Sequence, residues 1–85
     1  MRHFKDPKFK PRFDELPQKI QVMADKSFSL LKDNPRHPSL HFKRIDRDLW
    51  SVRVGLGYRA LALEAKDGFQ WFWIGTYAEY NRLLK

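Results

Sequence analysis

Three strand-like runs follow one another between Leu49 and Tyr80, and they restrict the fold more than any other part of the chain. They read L-W-S-V-R-V, then Y-R-A-L-A-L, then F-Q-W-F-W-I-G. In the first, Trp50, Val52 and Val54 alternate with Ser51 and Arg53, the period-two pattern of a strand with one buried face. Gly55-Leu56-Gly57 supplies two positions that tolerate positive φ, so the chain reverses into Tyr58–Ala65. Asp67-Gly68 is the strongest hairpin-turn signal in the sequence. It leads into Phe69–Gly75, apolar on both faces and so expected to be a central or doubly covered strand. Upstream, Leu40–Ile45 also alternates, with Leu40 and Phe42 on one side and His41 and Lys43 on the other. Asp46-Arg47-Asp48 is a polar turn. These runs predict an antiparallel sheet of three or four strands.

Helical material flanks the sheet. Leu16, Ile20, Met23 or Ala24, Phe28 and Leu31 recur at helical spacing, predicting a helix over Glu15–Lys32 with Asp14 as N-cap and Pro17 in the first turn. Asn34-Pro35 ends it, because a residue before proline avoids the α region. Residues 1–13 fit an edge strand and turn or a short irregular helix, with Phe4, Phe9 and Phe13 docked on the core. Thr76-x-x-Glu79 has the spacing of a capping box and predicts a short helix from Tyr77 to Leu84. The expected fold is α+β, one domain over residues 1–85, with N-terminal helical segments on the sheet and a short helix at the end.

Charge narrows the function. The net charge is +7, concentrated in two blocks, residues 1–12 and residues 36–59, while the remainder is close to neutral. Such blocks suit an anionic partner. There is no cysteine, so thiolate metal ligands and disulfides are excluded. The three histidines lack the spacing of a zinc site, and no phosphate-cradling glycine loop or nucleophile elbow is present. No metal or other cofactor is therefore expected. No apolar run is long enough to span a membrane and no leader pattern opens the chain, which predicts a cytoplasmic protein with no membrane partner.

A basic and aromatic constellation remains. Alternation puts His41, Lys43, Ser51 and Arg53 on one sheet face, and Arg59 enters the next strand just past the glycine turn. Two convergent guanidinium groups would grip one phosphate and stabilise the charge of a pentacovalent phosphorane. RNA cleavage then needs no metal: the 2′-OH attacks, a base takes its proton and an acid protonates the leaving 5′-oxygen. The competing reading is structural, with Arg53 and Arg59 paired to Asp46, Asp48 or Glu64, and Tyr77 and Tyr80 packing on a helix stripe. Leu61 and Leu63 share the parity of Arg59, so that arginine has to sit at the strand entrance to avoid the core.

Taken in order, N-P-R-H-P-S-L-H-F-K, W-S-V-R-V-G-L-G-Y-R-A-L and W-F-W-I-G-T-Y-A-E-Y-N-R-L-L resemble the RelE/ParE superfamily of toxins from type II toxin–antitoxin systems. The similarity spans nearly the whole chain. It implies a toxin neutralised by a cognate antitoxin protein. RelE-like members cut messenger RNA in the ribosome without metal, whereas ParE-like members poison DNA gyrase. By this resemblance Arg53 and Arg59 carry over as functional residues, Tyr80 as the tyrosine near the C-terminus, and Lys43 more loosely; Arg44 and Arg47 join Lys43 as expected RNA contacts. Tyr77 stands where relatives commonly have histidine or arginine. Ser51 replaces a strand lysine found in some members, and no glutamate stands at Pro38 or Ser39. A phenol is a poor base at neutral pH unless cations lower its pKa, which leaves His41 as the other candidate.

Overall fold

A computed structural model describes residues 2–84; Met1 and Lys85, the ends of the expected 1–85 domain, lie outside the described residues. The elements are β1 (Arg2–Lys5), α1 (Phe9–Asp14), α2 (Gln18–Asp33), a single 3₁₀ turn at Pro38–Leu40, β2 (Lys43–Asp46), β3 (Leu49–Val54), β4 (Tyr58–Ala65), β5 (Gly68–Thr76) and α3 (Tyr77–Leu83). The strands form one sheet in the order β1-β5-β4-β3-β2. The α+β architecture is the expected one. The sheet nevertheless has five strands, because β1 adds in parallel beside β5, pairing His3 with Phe69 and Lys5 with Trp71. The other neighbours are antiparallel.

Local chemistry moves several boundaries. Pro17 is the N-cap of α2, in an extended conformation at ψ 144°, and its carbonyl accepts from Ile20 and Gln21. The helix starts here rather than at Glu15 because Leu16, preceding proline, is steered out of the α region. Asp14, the expected cap, instead ends α1 and pairs with Lys10 at 2.9 Å. The strand expected over Leu40–Ile45 begins at Lys43: Pro38–Leu40 is helical, and His41 takes a left-handed conformation at φ 43°. Of the two turn glycines, Gly55 alone has the left-handed φ, +61°.

The helices cover one face of the sheet, α1 against β5 and α2 against β3. Phe9, Ala24, Phe28, Leu31 and Leu40 meet Val52, Val54, Ala60, Ala62, Phe69, Trp71 and Ile74 there. Each large apolar side chain buried in this way contributes roughly 1.5–3 kcal/mol. The opposite face carries a smaller cluster of Leu61, Trp73 and Tyr80, with Ile45, Leu49 and Phe72 packed around it. A register shift between Leu61 and Ala62 makes this possible: Leu61 faces Trp73 and Ala62 faces Trp71, with Phe72 left over. This bulge sends Trp71 to the helical core and Trp73 to the other face, although both share one parity in sequence.

The same alternation corrects the expected docking of the N-terminal phenylalanines. Phe9 is buried and Phe13 packs beside it, but Phe4 is largely exposed under the Arg2 guanidinium. His3 takes the inward position. It stacks on Phe69 and Trp71, and its Nδ1 accepts from Trp71 Nε1 at 3.0 Å. Burial, and then the charge of Lys32, hold the His3 pKa below 6.5.

Two consequences are measurable. The unfolded chain binds a proton at His3 more readily than the folded one, so this contribution to stability is full above about pH 6.5. It is lost as pH falls from there through the lowered folded pKa. Urea unfolding between pH 7.5 and 5 will show stability falling on the acid side, and His3→Phe will flatten that slope. A Cβ on Gly68 would overlap the Arg2 backbone, including its carbonyl. Gly68→Ala is expected to cost about 1–3 kcal/mol as strain and to expose the β1 amides to hydrogen exchange ahead of those of β4.

Candidate functional site

The second sheet face is left open by the helices except at one end, where α3 crosses it. A hollow of about 220 Å³ lies there, lined by His41, Lys43, Ser51, Arg53, Arg59, Tyr77 and Tyr80. Two cross-strand rows form its floor. Lys43 is opposite Ser51, and Ser51 is opposite Leu61; next to them Arg53 is opposite Arg59, and Arg59 is opposite Gly75. The absence of a side chain at Gly75 matters, since a Cβ would collide with the Trp73 ring and the Glu79 carboxylate.

The sequence places α3 over this floor through its start signal. Thr76 Oγ1 accepts from Glu79 N at 3.2 Å, and Glu79 Oε1 accepts from Thr76 N at 2.9 Å, completing the capping box. The hydrogen bonds from Thr76, backbone first and then side chain, hold the Glu79 pKa below the usual carboxylate value. Arg12 braces the same corner, donating from Nε to the Ile74 carbonyl at 2.9 Å while its guanidinium lies over Trp73 and beside Glu79. Capping therefore fixes where Tyr77 and Tyr80 project. Tyr77 remains 46% exposed, whereas Tyr80 is only 8% exposed and stacks against it.

Arg53 and Arg59 are the electrostatic centre. Like charges directly opposite on adjacent strands are unfavourable, and neither guanidinium has a carboxylate partner among the described residues. The acidic residues that might have paired with them are otherwise placed: Glu64 accepts from Trp50 Nε1 at 2.8 Å, and Asp46 accepts from the Arg47 amide. Arg59 is tethered by the carbonyls of Tyr58 (2.8 Å) and Leu56 (3.3 Å) and lies over the Tyr77 ring at 4.6 Å. Its pKa is lowered, chiefly by burial and next by Arg53, with Tyr77 and Tyr80 opposing the shift. An Nη2 of Arg53 lies 3.2 Å and 3.3 Å from the two ring nitrogens of His41, while its Nε is buried without a partner among the described residues. The left-handed backbone at His41 turns its ring to that contact.

Arg59 avoids the core for a reason the parity argument lacked. Its parity faces the open side, with Leu61 in the small second cluster, and Ala60 and Ala62 face the helices instead. The hollow does not include Arg44 or Arg47. Arg44 stands opposite Trp50, whose ring packs on the helical core, and Arg47 lies in the β2–β3 turn. Sequence reasoning left Ser51 out of the site, although its shared parity with Arg53 was the available signal. It is 2% exposed and accepts a hydrogen bond from the Tyr80 hydroxyl at 3.1 Å. Among the described residues no cluster of three or more His, Cys, Asp or Glu side chains is placed to hold a metal. No described helix is long and apolar enough to cross a membrane.

The family model of the ParE-like toxin domain matches residues 18–82, which hold every residue of this hollow. The chain belongs to the ParE-like toxin family. Among solved structures, the RelB–RelE antitoxin–toxin complex from Methanococcus jannaschii is similar at a TM-score of 0.74 and 13% identity, covering 96% of this chain and 99% of that chain. The isolated RelE toxin of E. coli is similar at a TM-score of 0.65 and 14% identity, covering 98% and 97%. At these identities the likeness is one of fold. No curated protein sequence matches the chain. The ParE-like toxin thus has a RelE-type fold in which one strand pair carries two arginines without a carboxylate partner among the described residues and the capped helix supplies the facing tyrosines.

Removing the cap tests how far it positions those tyrosines. Thr76→Ala is expected to cost about 1 kcal/mol of stability in chemical denaturation and to raise the fluorescence-detected mobility of Tyr77 and Tyr80. The acid sensitivity that Glu79 contributes, a loss as pH falls through its lowered pKa, will weaken in the same variant.

Proposed function

We propose that this toxin is a metal-independent, ribosome-dependent messenger-RNA endoribonuclease of a type II toxin–antitoxin system, acting in the cytoplasm. The observation that carries the reading is the Arg53–Arg59 pair, two opposed arginines in the floor of a small polar hollow with no carboxylate partner among the described residues. An oxyanion between them would relieve their repulsion, and the relief grows as negative charge builds on a phosphorane. In the reaction, the 2′-oxygen attacks the adjacent phosphorus as its proton is taken up, and the bond to the 5′-oxygen breaks as that oxygen is protonated. The products are a 2′,3′-cyclic phosphate and a 5′-hydroxyl.

Arg53 and Arg59 hold the phosphate oxygens in this scheme, and Lys43, next to Ser51, attracts the flanking backbone. Tyr80 with Tyr77 or His41 moves or orients the protons. Arg44 and Arg47, outside the hollow, contribute long-range attraction for RNA. The partner class that supports a toxin of this fold is an antitoxin protein, as in the RelB–RelE complex. An acidic antitoxin segment that folds on binding would mask the same cations.

Primer extension on actively translated message tests the reading. New cleavages are expected in the presence of the toxin, and Arg59→Ala should reduce them by about 10²–10³-fold, the cost of removing one transition-state donor. No cleavage, or cleavage indifferent to Arg59→Ala, overturns it. The match to a ParE-like domain, together with Tyr77 at a position where histidine or arginine is common, favours gyrase inhibition as the second reading. Inhibition of DNA supercoiling by purified toxin, with message left intact, would establish that alternative.

A further inference from the structure

The Tyr80 hydroxyl donates to Ser51 Oγ at 3.1 Å. Among the described residues Ser51 is the single buried polar one. Both residues line the hollow, and Lys43 flanks Ser51 on the same sheet row. A hydroxyl has one proton and two lone pairs. With its oxygen accepting from Tyr80, Ser51 retains its own O–H, which has no acceptor among the described residues. A donor held in this way and desolvated is costly unless an acceptor arrives.

Resting on the phosphate reading above, we propose that Ser51 is a phosphate-binding residue of this site and that Tyr80 is its positioning residue. Ser51 O–H donates to a non-bridging phosphate oxygen held by Arg53 and Arg59. Tyr80, donating to Ser51 Oγ, fixes the serine rotamer and polarises its O–H bond, as chained hydrogen bonds do. The phenol oxygen keeps its lone pairs toward the hollow and acts there as an acceptor. The two hydroxyls therefore work as one donor chain, and substitutions in them should not be additive.

The test uses the full-length chain and an RNA trinucleotide with a 2′-deoxy central residue, which lacks the attacking hydroxyl. Binding is followed by chemical-shift titration, and thermal unfolding is recorded for every variant. Ser51→Ala is expected to weaken affinity about tenfold, the scale of one hydrogen bond to a charged group. Ser51→Thr, which keeps the hydroxyl on a strand-compatible side chain, should restore affinity to within about threefold. Tyr80→Phe should weaken it severalfold, and the double variant no more than Ser51→Ala alone.

Wild-type binding with Ser51→Ala unchanged overturns the role of Ser51 and leaves the arginine grip standing. Wild-type binding abolished by Arg59→Ala but unaffected by Tyr80→Phe overturns the positioning role. If the wild-type chain shows no binding at low salt, this inference falls, while the phosphate reading stands or falls with the primer-extension result. Should Ser51→Ala not fold, the Ser51→Thr and Tyr80→Phe pair decides: equal affinities in wild type and Tyr80→Phe overturn the donor chain.

Discussion

Arg53 faces Arg59 across two adjacent strands, and much of the molecule is arranged around that like-charge contact. Opposed cations oppose strand pairing, so the surrounding sheet has to hold them by other means. Leu61 and Val52 anchor the neighbouring positions on β4 and β3, and the backbone carbonyls of Leu56 and Tyr58 fasten one guanidinium. Partial burial lowers the Arg59 pKa, yet a guanidinium starts so high that it keeps its charge at neutral pH. A lysine in the same setting would deprotonate more readily. Two arginines thus give a fixed positive field in a partly enclosed hollow, where a charge is worth more than at an open surface.

That field depends on a sheet with two different faces, and the bulge in β5 separates them. Without the extra residue at Phe72, the two tryptophans would share a face and either overfill the helical core or leave it short. With it, Trp71 closes the core beside Phe28 and Phe9, while Trp73 forms a small apolar base for Tyr80. The site is consequently built on packed strands, with α3 tied to them by a cap. Its residues come from four elements and the preceding loop, yet each is held by backbone pairing, stacking or a cap rather than by the site itself.

The sequence made the strands, the capping box and the members of the hollow readable because each has a local signature. Lys43 and Arg53 were legible from alternation, Arg59 from its place just past the glycine turn, and Tyr77 and Tyr80 from the resemblance. What was not readable has no local signature. The parallel β1 is paired with a strand more than sixty residues away, and its inward residue is a histidine rather than Phe4. The bulge cannot be seen in a run that is apolar on both faces. The left-handed turn at His41 breaks an alternation that otherwise looked continuous. Ser51 was visible on the correct face, but nothing local to β3 says that a tyrosine twenty-nine positions later hydrogen-bonds to it.

The geometry also separates the two cations from the hydroxyl and imidazole groups that surround them. The strands hold Arg53 and Arg59 opposite one another through backbone pairing. The groups around them are graded by burial. Tyr80 sits deepest, bonded to Ser51; Tyr77 stands at the rim with Arg59 across its face; His41 is at the opposite edge, against Arg53. One pair of strands thus sets the phosphate grip of the proposed reaction within reach of the hydroxyl and imidazole groups around it.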